Sequence, residues 1–291
     1  MDIICYIANL MILGIEMTEC EDGSRVRNKM PLNVAGYEMD LLQSKKLING
    51  NKTELKGEFV ETTKIVVKDV NENEIEKVVS VIRQLATMPS FATDSQVRFY
   101  KWFSDDGLRG QSWSVIGSFS HFRPPFCTVN TIDIKRFIEN CWASYNELEE
   151  PRALNVVVDY FVSTDSLFLP VELMLATSFI LLENLKSTYA KHRGYPYRNG
   201  SYRKPDGSSW SFQALLNEMF DSVGMRADLV DIKTLRNEII HSGLSQLSFD
   251  EQYTIYEKCK ELVTEYFLRL IGFSGKFFLY SSSGTRFKHI A

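Results

Sequence analysis

The sequence has no cysteine pair at CxxC spacing, no HxxxH pair, and four histidines in all, His121, His192, His241 and His289. Zinc sites and thiol redox motifs need such pairs. His121 and Cys127 are the one close His/Cys pair, and two ligands fall short of a zinc site. The five cysteines, Cys5, Cys20, Cys127, Cys141 and Cys259, are scattered and odd in number. They read as reduced thiols filling core positions, which points to the cytoplasm rather than to a disulfide framework. Also missing are a P-loop, a GxSxG elbow, an HExxH helix and a well-placed DxD pair, so conventional hydrolases, metalloenzymes and nucleotidyltransferases find no support. No metal or cofactor is expected.

Positive charge is not in excess. Thirty-three Lys and Arg face 37 Asp and Glu, for a net charge of −4. Any attraction to nucleic acid must therefore come from a local basic patch. Long hydrophobic runs are lacking too. The apolar start, Ile3 to Ala8 and then Leu10 to Ile15, is interrupted by Asn9, has no basic flank, and falls short of the roughly 20 residues of a membrane span. It reads as a buried strand. The run Leu173 to Leu182 is also too short, and fits a central helix. No membrane partner is expected. Repeats, heptads and low-complexity segments do not occur.

What is present is an ordinary globular composition, 44% hydrophobic and 24% charged in 291 residues, enough for two domains. The expected class is α+β overall: a mixed strand and helix domain over residues 1–125, an all-α helical domain over 130–280, and a tail at 281–291. Candidate strands are Ile3–Ile15, Glu58–Val70, Gln96–Phe103 and Ser112–Ser118, rich in β-branched and aromatic residues. Glu72–Leu85 carries Ile75, Val78, Val79 and Ile82 at helical spacing. Glu19–Lys29 and Ser44–Lys56 read as loops. The two prolines of Phe122-Arg123-Pro124-Pro125-Phe126 stop regular structure and mark a connector between domains. Helices are then expected from about Ile132, over Pro151–Val162, Pro170–Ala190, Trp210–Phe220, Ala227–His241 and Phe249–Ile271. The tail forms a small hairpin or stays loose.

The helix Ala227–His241 carries the chemistry. Leu229, Ile232, Leu235 and Ile239, three or four apart, form its core stripe. Arg236 and Asn237 lie off that stripe, and Asn237 and His241 share a face. Arg236 and His241 differ by about 7.5 Å along the axis and roughly 140° around it, within reach of a long arginine side chain. Arginine holds phosphate bidentately, and histidine moves protons near neutral pH. The helix end favours a cation at His241, and Gly243 suits the left-handed residue that closes a helix. RNA supplies its own nucleophile, the 2′-OH. Arginine can stabilise the crowded phosphate while histidine removes the 2′ proton or protonates the leaving 5′ oxygen. The spacing alone favours a structural role, with Arg236 paired to Glu183 or Glu172 and His241 a capping cation.

A second patch, Lys191-His192-Arg193-Gly194-Tyr195-Pro196-Tyr197-Arg198-Asn199-Gly200-Ser201-Tyr202-Arg203-Lys204, alternates basic and aromatic residues. Lys191, Arg193, Arg198, Arg203 and Lys204 suit phosphates, and Tyr195, Tyr197 and Tyr202 suit stacking on unpaired bases. The alternative is a solvated loop whose tyrosines pack on the helices.

The segment Ala227-Asp228-Leu229-Val230 through Leu235-Arg236-Asn237-Glu238-Ile239-Ile240-His241-Ser242-Gly243 resembles the signature of the HEPN superfamily, most of all its Apea-like branch. Val171-Glu172-Leu173 through Asn184-Leu185 is similar to the family's long central helix, and Leu270 to Lys276 to its ending. The resemblance spans residues 130–280. It implies a helical bundle, a homodimer whose paired motifs face one cleft, and a metal-independent endoribonuclease with Arg236, Asn237 and His241 as site residues. The implied products are a 2′,3′-cyclic phosphate and a 5′-OH. Implied roles are those of a toxin, abortive-infection or anti-phage nuclease, with RNA, an antitoxin or a phage-derived trigger as partners. Some members only bind or scaffold. A branch with a tyrosine two residues after the histidine is excluded by Gly243. The first 125 residues suggest a sensor or regulatory module by analogy.

Overall fold

The computed structural model describes residues 1–19, 23–48, 50–105, 107–111, 117–165 and 169–291. The chain divides into two compact units, Met1–Ala143 with Gly275–His289, and Ser144–Ser274 with Ile290–Ala291.

The first unit is built on a seven-stranded sheet. Its strands are β1 (Ile3–Ala8), β2 (Glu16–Glu19), β3 (Arg25–Val34), β4 (Tyr37–Gln43), β5 (Glu61–Val67), β6 (Arg98–Ser104) and β7 (Gly107–Gln111), in the order β2-β3-β4-β5-β1-β6-β7. Every pairing is antiparallel, and the central β1 sets Ile4 opposite both Val66 and Phe103. Side chains alternate across a strand, so Ile3, Cys5 and Ile7 are buried while Ile4 and Tyr6 are half-buried on the other face. The short helix α1 (Lys45–Ile48) and a 3-10 turn (Lys52–Leu55) follow β4, and a second 3-10 turn (Glu72–Glu74) leads into α2 (Ile75–Leu85) and α3 (Thr87–Thr93). Val78, Val79 and Ile82 of the expected stripe are buried on α2, joined by Val81 and Leu85, while Ile75 at its start is half-buried.

The expected strand Ile3–Ile15 ends at Ala8. Asn9 takes a left-handed backbone (φ 62°), and its side chain accepts from Val60 N (2.9 Å) and donates to Gln96 O (3.0 Å), which fixes the break. The loop expected over Glu19–Lys29 contains the start of β3. Neither β3 nor β4 is among the strands expected from the sequence; in β3 Arg25 and Arg27 point to solvent, so the apolar alternation begins only at Met30. The loop expected over Ser44–Lys56 holds α1 and the 3-10 turn capped by Asn51. Most of the expected strand Ser112–Ser118 lies outside the described residues.

The double proline interrupts regular structure without ending the unit. Phe119 and Phe126 on either side are buried, and Phe278 N–H donates to Pro125 O (2.8 Å). Phe278 closes β10 (Gly275–Phe278), which pairs with β11 (Phe287–Ile290). The residues expected as a tail are thus a hairpin, and most of it belongs to the first unit. The division between units falls later than the prolines, within α4 (Ile132–Arg152). The early part of α4 packs Phe137 against Phe91 and Phe126, with ring centroids 5.9 and 5.1 Å apart.

The second unit is helical apart from one small hairpin. The chain ends α4 one residue after Pro151, turns through Ala153 (φ 49°), and enters α5 (Leu154–Ser163), so the helix expected over Pro151–Val162 begins at Leu154. Then come α6 (Val171–His192), a hairpin of β8 (Tyr197–Arg198) and β9 (Ser201–Tyr202), α7 (Phe212–Asp221), α8 (Val230–Ser242) and α9 (Phe249–Leu270). Helix α6 packs against α5, α7, α8 and α9. It buries Met174, Leu175, Phe179, Leu182 and Leu185, which is why it reads as an apolar run. Helix α9 starts at a reciprocal capping box between Ser248 and Glu251.

One polar cluster lies inside this unit. Lys260 of α9 meets Asp165 at 2.6 Å, with side chains 2% and 0% exposed. Asp165 also accepts from Tyr256 (2.5 Å), and Lys260 donates to Phe161 O (2.9 Å). Arg152, also buried, donates to the Tyr266 hydroxyl at 2.7 Å. Among the described residues, no helix is long and apolar enough to cross a membrane.

Candidate functional site

Helix α8 presents the motif. Its core stripe is as the spacing predicts: Leu229, Ile232, Leu235 and Ile239 are buried. The stripe fixes the rotation of the helix, leaving Arg236 half-buried and Asn237 and His241 exposed. Gly243 closes the helix in the left-handed region (φ 74°), donating to Ile239 O at 2.8 Å.

The Arg236 guanidinium donates to Glu183 Oε1 of α6 at 2.7 Å and to the neighbouring Asn237 Oδ1 at 3.0 Å. Of the two carboxylates expected as partners, Glu183 takes the arginine. Glu172 instead accepts from Gln252 Nε2 at 3.4 Å. Glu183 is shared, because its second oxygen lies 2.5 Å from Lys186 Nζ, one turn along α6. The Phe212 ring at the start of α7 faces both cations, 4.6 Å from the Arg236 guanidinium and 4.9 Å from Lys186 Nζ. Three helices therefore meet in a cluster of two cations, one carboxylate and one ring. Lys186 and Phe212 escape the sequence reading. The pair Glu183 and Lys186 is visible as an i,i+3 ion pair, but nothing in the sequence brings Lys186 or Phe212 to Arg236.

His241 follows Arg236 by five residues at the C-terminal end of α8. It is exposed and makes no hydrogen bond or ion pair among the described residues, so its imidazole stands open to an incoming group. Val230, Asn237 and His241 fall on one line of the helix, and Val230 on that line and Ile240 next to His241 expose apolar surface, 57% and 46%.

The basic aromatic segment divides. Tyr202 is buried and bonds the Ser187 hydroxyl at 2.8 Å. Tyr195 donates to Glu218 at 2.9 Å and stacks on Trp210 at 5.8 Å. Lys204 sits over that same indole at 4.9 Å. Arg203 is held by Ser209 and by Arg198 O. These four groups build the hairpin. Its turn lies at Asn199 and Gly200 (φ 50° and 78°), and the Tyr197 ring meets the Tyr202 ring edge-on at 4.9 Å. Tyr197, Arg198, Lys191 and Arg193 are the exposed members. Lys191 begins the patch about 12 Å along α6 from Glu183, at 1.5 Å per residue.

His121 stacks on Phe119 at 4.5 Å, while Cys127 Sγ accepts from Asn130 N at 3.2 Å. Among the described residues no three His, Cys, Asp or Glu side chains are grouped as metal ligands. No protein-family model matches the sequence, and neither the curated proteins nor the solved structures provide a match.

Proposed function

We propose that this protein is a metal-independent endoribonuclease of HEPN type, with Arg236 and His241 as its catalytic pair. The observation that carries the reading is the Arg236 guanidinium, braced by Glu183 at 2.7 Å and by Asn237, on the helix that ends in an open His241. A braced guanidinium is preorganised, so it loses little entropy on gripping phosphate.

In the reaction, the 2′-oxygen bonds to phosphorus and the P–O5′ bond breaks, its electron pair leaving on O5′. Arg236 stabilises the negative charge that builds on the non-bridging oxygens. An imidazole removes the 2′ proton, and an imidazolium protonates O5′. The products are a 2′,3′-cyclic phosphate and a 5′-OH. One His241 cannot hold and accept a proton at once. A homodimer bringing two copies to one cleft supplies both, and the exposed Val230 and Ile240 beside the motif are apolar surface suited to such an interface. Exposed Tyr197 and Arg198 offer the RNA a base-stacking and phosphate contact. Toxin or anti-phage action on cellular RNA, released by a partner or trigger, fits this chemistry.

Cleavage of RNA in EDTA by wild type, Arg236→Ala and His241→Ala tests the reading. Cutting by wild type alone is expected. Equal cutting by all three, or by none, refutes it. The second reading is a non-catalytic RNA-binding or scaffolding module. It is favoured by the ion pair itself, since a Glu183–Arg236 contact also serves to hold α6 to α8.

A further inference from the structure

Glu183 grips two cations, and only one of them belongs to the motif. Lys186 Nζ lies 2.5 Å from one carboxylate oxygen and Arg236 2.7 Å from the other, their side chains 14% and 23% exposed. The Phe212 ring covers one side of both. A carboxylate and a phosphate present the same kind of paired oxygens to a guanidinium. A carboxylate held between two cations therefore marks where phosphate oxygens can be shared. Three N–H donors on an ammonium and five on a guanidinium leave each cation free donors after its bond to Glu183. Two positive charges against one negative leave a local charge of +1, which complements one phosphodiester.

We propose that Lys186 is a second phosphate-contacting residue of this site and that Glu183 is the positioning residue holding it level with Arg236. The inference rests on the ribonuclease reading for its catalytic consequence, though not for the contact itself. When the 2′-oxygen attacks, the phosphorus group gains negative charge as P–O5′ begins to break. Lys186 shares that charge with Arg236, and the proton transfers remain with histidine. Phe212 keeps both cations turned toward the shared anion and excludes water from their far side.

The test uses the full-length protein and a single-stranded RNA whose 2′-hydroxyls are all methylated, so that binding is read without cleavage. Affinity is measured across salt for wild type, Lys186→Met and Lys186→Arg, and cleavage of the unmethylated RNA is measured alongside. Lys186→Met is expected to reduce the log–log salt slope by about 0.7, the contribution of one phosphate contact on a single strand. It is also expected to lower kcat/KM by roughly 100-fold, while Lys186→Arg keeps the slope and most of the rate. Wild type that binds but does not cut, with the slope lost in Lys186→Met, upholds the contact while the ribonuclease reading falls. An unchanged slope in Lys186→Met overturns the inference whatever the cleavage result. So does equal loss in Lys186→Arg, and so does a wild type that binds no RNA. If Lys186→Met fails to fold, Lys186→Gln takes its place under the same criteria.

Discussion

Arg236 and Glu183 stand 53 residues apart in the sequence and 2.7 Å apart in the structure. The pair is partly exposed, so its worth to stability is small, about 1 kcal/mol or less. Its worth to function is larger if it sets the aim of the guanidinium. Glu183→Gln is expected to leave the melting temperature within a few degrees of wild type while cutting RNA cleavage at least tenfold. A calorimetric scan beside a cleavage assay checks both halves, and a large fall in melting temperature with full activity counts against it.

Lys260 and Asp165 are a different kind of pair. Both are buried, and each is hydrogen-bonded beyond the other. Removing one partner of a buried pair leaves an uncompensated charge, which costs about 3–5 kcal/mol. Asp165→Ala is therefore expected to lose most of the protein's stability in urea unfolding. Replacing Asp165 and Lys260 together by apolar residues should recover much of it, and a double variant no better than the single one argues that the hydrogen bonds matter more than the charge.

Gly243 meets open space where a side chain would go, so its replacement is a purely conformational matter. Its φ of 74° lies in the left-handed region, which costs an L-residue roughly 1–2 kcal/mol. Gly243→Ala is expected to destabilise by about that amount, and Gly243→Asn by less, because asparagine tolerates the left-handed region better. Because the glycine ends the helix carrying His241, the alanine variant should also lose cleavage rate at temperatures where it remains folded.

The tyrosines of the hairpin separate packing from recognition. Tyr197 is 63% exposed and Tyr202 is 7% exposed. Tyr202→Ala should lower stability, by about 3 kcal/mol for a buried aromatic. Tyr197 meets the Tyr202 ring edge-on at 4.9 Å, so Tyr197→Ala should cost stability less than Tyr202→Ala does, and should weaken RNA binding by about 1–3 kcal/mol, the worth of one stacked base. Equal RNA affinity for Tyr197→Ala and wild type would remove the hairpin from the RNA path.

Burial pushes the thiols of Cys5, Cys141 and Cys259 up to about 12, and burial raises the Tyr189 phenol to about 12 as well. A folded-state pKa above the unfolded value means that the folded protein holds the proton longer. The corresponding stability is fully present below pH about 9, the ordinary thiol range, and is lost as pH rises toward about 12. Alkaline titration should therefore unfold the protein over that window. At pH 8, Cys127 should react with an alkylating reagent well before these three, as mass spectrometry of the labelled peptides can show.

Much of the second unit was legible because its helices are amphipathic and long. The spacing of Leu229, Ile232, Leu235 and Ile239 predicts both the helix and the face it buries, and the same arithmetic puts Arg236 off that face. The sheet was harder to read. Arg25 and Arg27 face solvent, so β3 begins as a polar stretch, and β4 likewise places exposed Glu38 and half-buried Asp40 between its apolar residues. Prolines also misled: Pro124 and Pro125 break the backbone pattern, yet the buried Phe119 and Phe126 hold that stretch within the first unit. At the site, Glu183 was one of two candidates for Arg236, because both lie on α6 and only the packing of α6 on α8 distinguishes them. Lys186 and Phe212 were not legible, since a cation on a ring leaves no periodic trace.

Helix α8 carries the motif on slender support. Three of its 13 residues are buried, against ten of 22 in each of α6 and α9. Local opening follows such differences in buried contact. The amide protons of α8 should therefore exchange with deuterium before those of its two long neighbours. The segment bearing Arg236 and His241 is then more easily remodelled by whatever binds it than either long neighbour, so occupancy of the site can be read as slowed exchange in this one helix.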